Sequence, residues 1–88
     1  GFRWFAEDPQ GRAVMGESRP FTAGATLRAL APIPGRFTLI KDGKVAGRQE
    51  GRSAQWTASG PGKYRVEVEL SICGEWTPWI YANPIELL

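Results

Sequence analysis

From Tyr64 to Ile72 the chain alternates without a break: Tyr64, Val66, Val68, Leu70 and Ile72 are apolar, and Arg65, Glu67, Glu69 and Ser71 between them are polar. A period of two is the pattern of an extended strand with one face buried and one wet, and no helix can sort side chains that way. A second segment says the same in another form. Phe37-Thr38-Leu39-Ile40-Lys41 and Lys44-Val45-Ala46 flank Asp42-Gly43, the dipeptide that suits a two-residue turn with positive φ at both central positions, so a β-hairpin is predicted there. Eleven glycines and seven prolines punctuate the rest every eight to twelve residues, the spacing of many short strands joined by turns.

The remaining strands are softer. Ala25 to Leu30 carries Leu27 and Ala29 on one side, and Pro32 to Gly35 is expected to close it. Ala54 to Ala58 alternates around Trp56, which is expected to fill the core, and Ser59-Gly60-Pro61-Gly62 turns the chain. Cys73-Gly74-Glu75 is expected to turn it again before a last strand, Trp79 to Ala82. Pro84 cannot donate to a ladder, which implies an edge or a bulge nearby. Glu7 to Phe21 has no clean period and is read as a long loop with at most one short strand. About seven strands in 88 residues predict one domain, residues 1–88, with an all-β, immunoglobulin-like antiparallel sandwich fold. In such folds a tyrosine two residues before the core cysteine bonds backbone upstream. Tyr64 stands in that place relative to Val66, and the plainer alternative is one more inward aromatic.

Composition excludes more chemistry than it allows. With no histidine, Ser-His-Asp and Cys-His arrangements cannot be built, and the one cysteine, Cys73, has no partner for a disulfide or a zinc site. Glu67 and Glu69 share a strand face, but beside Arg65 they read as a solvated stripe rather than a catalytic pair. No cofactor or metal site is expected, and no catalytic residue. Eleven basic residues against nine acidic give a net charge of +2; the arginines stand singly among acids, so nucleic acid is not expected as a partner. No apolar run reaches the length of a membrane-spanning helix, and membrane insertion is not expected. The chain enters a strand-like run, Phe2 to Ala6, at once, which reads as one domain of a longer chain.

Function is therefore sought on the surface. Four tryptophans, four phenylalanines and two tyrosines are generous for this length. Core filling, which would take Trp56 and one of Trp76 and Trp79, stacking on a carbohydrate and docking on a neighbouring domain all use such side chains. Trp79-Ile80-Tyr81-Ala82 is apolar on both faces, unlike Tyr64 to Ile72, and an isolated sandwich covers only one face. Ile80 is expected inward, and Trp79 and Tyr81, with Trp76, form the candidate docking surface.

A resemblance gives this surface a context. Pro78-Trp79-Ile80-Tyr81-Ala82-Asn83-Pro84-Ile85, preceded by Gly62-Lys63-Tyr64-Arg65-Val66-Glu67-Val68, resembles the closing segment of metallohydrolases of the PHP superfamily, CehA/McbA branch, which end in a Pro-Trp-Ile-x-Ser-Asn-Pro-Ile-Tyr pattern. Met15-Gly16-Glu17, the hairpin Leu39 to Val45 and the opening strand Phe2 to Ala6 resemble further elements of that family in the same order. Ala82 and Glu86 stand where the family has serine and tyrosine. In the family a metal-binding barrel precedes the β-sandwich, and none of its ligands has a counterpart here. The resemblance implies a non-catalytic C-terminal accessory domain of a metal-dependent phosphoesterase or related hydrolase. Its partner would be the upstream catalytic domain of the same chain or a second subunit. The alternative expectation is a carbohydrate- or cell-surface-binding module that uses exposed tryptophans.

Overall fold

Two tight hairpins set the frame. Asp42 (φ 49°) and Gly43 (φ 82°) join strands β4 (Thr26–Lys41) and β5 (Lys44–Thr57), with Lys41 opposite Lys44. Positive φ at both positions is what the Asp-Gly dipeptide predicts. Cys73 (φ 52°) and Gly74 (φ 80°) repeat the device between β6 (Gly62–Ile72) and β7 (Glu75–Tyr81). Glu75 is thus the first residue of a strand and not part of the turn. A computed structural model describes all 88 residues and contains no helix. The other strands are β1 (Arg3–Asp8), β2 (Gly11–Val14), β3 (Ser18–Arg19) and β8 (Ile85–Leu87).

All eight strands belong to one hydrogen-bonded sheet, in the order β2-β1-β4-β6-β8-β3, with β5 on β4 and β7 on β6. The expectation was about seven strands in two sheets. Only residues 15–17 separate β2 from β3. Gly16 N–H donates to Pro84 O (2.9 Å) and Glu86 N–H to Glu17 O (3.0 Å), so the sheet rolls into a nearly closed barrel.

The roll depends on β4, which passes along two neighbours in turn. Residues 26–30 pair with β1 and residues 36–41 pair with β6, while β5 follows both halves with a register shift between Leu30 and Gly35. Pro32 to Gly35 therefore bends the strand and does not close it. Gly35 is buried at the bend, and a Cβ there would lie 2.8 Å from the Glu69 carbonyl oxygen. A side chain has no room at that crossing.

The stretch expected as a loop, Glu7 to Phe21, holds the end of β1, all of β2 and β3. Asp8-Pro9-Gln10-Gly11 is the missed turn. The Asp8 Oδ1 accepts from Gln10 N–H (2.8 Å), and Arg19 Nε and Nη2 donate to its two oxygens at 3.1 Å. The Gln10 N–H foremost, and then Arg19, hold the Asp8 carboxyl below its ordinary value, against the desolvation of a side chain only 2% exposed. Short-range turn chemistry, not hydrophobic period, makes this hairpin.

The first three apolar positions of the alternating run reach the core. Tyr64, Val66 and Val68 are buried with Trp4, Leu27, Phe37, Leu39, Ile85 and Leu87, while Arg65, Glu67 and Glu69 lie half-buried on the outer face. The alternation runs past the core: Leu70 is half-buried and Ile72 is exposed. The Tyr64 hydroxyl donates to Gly60 O (2.6 Å) and accepts from Ser59 N–H (3.1 Å), as a corner tyrosine does. Trp56 only flanks the core, half-buried beside Gly47.

Candidate functional site

Strand β7 is the outermost strand on β6 and carries the three aromatic residues singled out above. Its pairing runs Ile72–Glu75, Ser71–Trp76, Leu70–Thr77 and Glu69–Pro78, then resumes at Val68–Ile80 and Glu67–Tyr81. Trp79 is the extra residue of a β-bulge, and a bulge reverses the parity of everything beyond it. Trp76 and Tyr81, an odd number of positions apart, consequently share the outer face with Glu67, Glu69 and Ser71. Trp79 does not join them. It is half-buried and packs with Ile80 against the core. The expected trio becomes a pair, Trp76 and Tyr81, at 38% and 65% exposure.

Trp76 is held in place. The Arg36 guanidinium lies 4.5 Å from its ring centroid, and Arg36 Nε and Nη2 donate to Glu69 Oε1 at 3.0 and 2.8 Å. A cation over an indole face attracts electrostatically, and the carboxylate fixes that cation. Arg65 bonds Glu67 in the same manner. Both glutamates of the outer stripe are thus paired with arginines.

Beside Trp76 opens a cleft of about 400 Å³. Ile33 and Pro34 line it from the bend of β4, Leu70 and Ile72 from the end of β6, and Glu50 stands at its side from β5. Ile33 and Ile72 are 45% and 51% exposed, so the floor of the cleft is unclosed apolar surface. A concavity of this volume is within the range of clefts that hold small ligands or side chains of a partner. Sequence reading missed Ile33 and Ile72 as site residues. The signal was present in Ile72, an apolar position that continues an alternating run beyond the length its core can cover.

Cys73 is exposed in the β6–β7 turn as a free thiol. No three Cys, Asp or Glu side chains gather where they could share a metal ion. Comparison with protein-family models, with curated proteins and with solved structures gives no match. What the site offers is an apolar cleft, a fixed indole and a phenol on one outer strand, with the neighbouring charges already neutralised in pairs.

Proposed function

We propose that this chain is a non-catalytic accessory domain that docks through the β7 face and its cleft onto the catalytic domain of a PHP-type metal-dependent hydrolase, or onto a second subunit. The observation that carries the docking is the unclosed apolar cleft of Ile33, Pro34, Leu70, Ile72 and Trp76. The hydrolase context comes from the sequence resemblance. Burying a patch of this kind is favourable at about 25 cal/mol per Å² of apolar surface, and the paired arginines beside it need no new partner. In finer architecture we read the rolled sheet as immunoglobulin-like, a reading supported by the Tyr64 corner bonds.

Carbohydrate binding is the second reading, favoured by the exposure of Trp76 and Tyr81. Against it, Arg36 already occupies one face of the Trp76 ring, which a stacking sugar would need free on that side.

The test has two parts. A histidine-rich metal-binding barrel encoded upstream of Gly1 supports the hydrolase context, and any other neighbour overturns it. In the protein that carries this domain, Ile72→Asp should loosen the contact, read as faster proteolysis between domains or as a smaller sedimenting species. Unchanged proteolysis and sedimentation would sink the docking, and saturable oligosaccharide binding lost in Trp76→Ala would replace it with the carbohydrate reading.

A further inference from the structure

A second surface, remote in sequence from β7, gathers charge that no single stretch of the chain displays. Directly opposed residues of paired strands share a face. Phe5 of β1 lies opposite Val14 of β2 and Arg28 of β4, Glu7 lies opposite Arg12, and Arg3 lies opposite Leu30. The outer face of these three strands therefore presents Arg3, Arg12 and Arg28 around Phe5. Phe5 is only 5% exposed because the guanidiniums of Arg3 and Arg12 stand over its ring, 5.1 and 4.3 Å from the centroid.

One carboxylate serves the three cations. Glu7 Oε2 accepts from Arg12 Nη2 at 2.8 Å, and Glu7 Oε1 lies 3.4 Å from Arg28 Nε. Arg3 makes no ion pair. Elsewhere Arg19 is paired with Asp8, Arg36 with Glu69 and Arg65 with Glu67, while Arg48 and Arg52 on β5 make no ion pair but stand two residues either side of Glu50. Three basic groups and one acidic group here, taken from eleven and nine in the chain, leave eight of each for everything else. This face holds the whole net charge of +2. Arg12 and Arg28 each keep 46% of their side-chain surface in solvent, and a hollow of about 230 Å³ beside Arg28 adds Ser53 and Gln55 as polar neighbours.

Each edge beside this face is capped at one central residue. Ala58 N–H donates to Ala25 O (2.8 Å), so by alternation the main-chain groups of Gln55 turn away from β4. Gln49 satisfies both: its Nε2 donates to Gln55 O (2.6 Å) and its Oε1 accepts from Gln55 N–H (3.2 Å). On β2, Val14 N–H donates to Glu17 Oε1 (2.8 Å) and Val14 O accepts from Glu17 N–H (3.0 Å). These caps hinder strand addition, and the side chains of the face are what it offers a partner.

We propose that this face binds an acidic peptide segment, whose carboxylates take the guanidiniums of Arg3, Arg12 and Arg28. The charge complementarity calls for an anion with more than one carboxylate, and the planar fork of arginine matches a carboxylate at two points. A single strand of nucleic acid fits less well. Its bases need an open aromatic face on which to stack, and the only aromatic ring here is covered by the arginines themselves. Glu7 acts as a built-in competitor that an incoming carboxylate displaces.

The probe is octaglutamate, titrated into the whole chain at about 20 mM salt, where screening is weak. Saturable binding that weakens as salt rises is expected. Arg12→Gln and Arg28→Gln should each weaken it about threefold to tenfold. Glu7→Gln should tighten it by a similar factor, an effect opposite in sign to that of a damaged fold, and Trp76→Ala should leave it unchanged. Absence of octaglutamate binding, or no tightening in Glu7→Gln, would overturn the proposal. A single-stranded oligonucleotide that binds more tightly than octaglutamate would overturn the peptide class. The β7 docking reading can fail without touching any of these outcomes.

Discussion

The two outer faces of this molecule use the same residue types in opposite ways. On the β1–β2–β4 face, arginines cover an aromatic ring and remain short of acids, so Phe5 is hidden and positive charge is left over. On the β6–β7 face each arginine has its own glutamate, so the charge cancels, and Trp76 and Tyr81 stay exposed even though Arg36 lies over one face of the indole. Stoichiometry of pairing, rather than composition, decides whether a β-surface attracts ions or apolar partners. Cross-strand register sets part of that stoichiometry, placing Arg36 opposite Glu69 and Arg12 opposite Glu7, while Arg65 meets Glu67 two residues along its own strand.

Both faces stand on one core, and the most drastic way to break the comparison is to remove it. Val68→Asp puts an unpaired charge among Phe37, Val66 and Tyr64, and should destabilise by more than about 4 kcal/mol, enough to unfold a domain of this size. Chemical denaturation of the variant checks it, and a folded Val68→Asp would mean that the β6 register is wrong.

A smaller loss is expected at the hinge between the faces. Gly35→Ala drives a Cβ against the Glu69 carbonyl and should cost about 1–3 kcal/mol, measured by the shift in denaturation midpoint. Tyr64→Phe removes a hydroxyl that donates to Gly60 O and accepts from Ser59 N–H, and should cost about 1–2 kcal/mol by the same assay.

Acid should separate the faces further. Asp8 and Glu7, both beside arginines of the first half of the molecule, have carboxyls held below their ordinary values of 3.8 and 4.5. For Glu7 the Arg12 hydrogen bond is the leading cause. A depressed folded pKa contributes stability that is complete above the unfolded value and lost as pH falls through the folded one. Thermal melts should therefore drop below about pH 4, and Asp8→Asn should flatten that dependence. Smallest of all, Glu67→Ala trims a partly exposed pair with Arg65 and should change stability by less than about 1 kcal/mol. A larger loss would mean that the balanced charge on the β6–β7 face is structural rather than incidental.

Sequence by itself determined the parts whose cause is local. The alternation at Tyr64 to Val68 chose the inward side of β6 and Asp42-Gly43 made the β4–β5 hairpin, whereas Tyr64 reads as a corner or a plain inward aromatic until the bonds of its hydroxyl to Gly60 and Ser59 decide it. Each is set by contacts within a few residues or by a face that must avoid water. The Asp8-Pro9 turn is equally local but carries no apolar period, so its signal lies in turn chemistry alone. Only the tertiary structure decided that β4 would run through Pro32 to Gly35, because the bend is stabilised by β1, β5 and β6, which lie far away in sequence. It alone put Trp79 into a bulge against the core, since a one-residue offset on β7 is fixed by its partner strand and leaves no mark in its own residues. It alone brought Arg3, Arg12 and Arg28 to one carboxylate, because pairing across strands turns isolated positions into a patch that linear charge patterning cannot express.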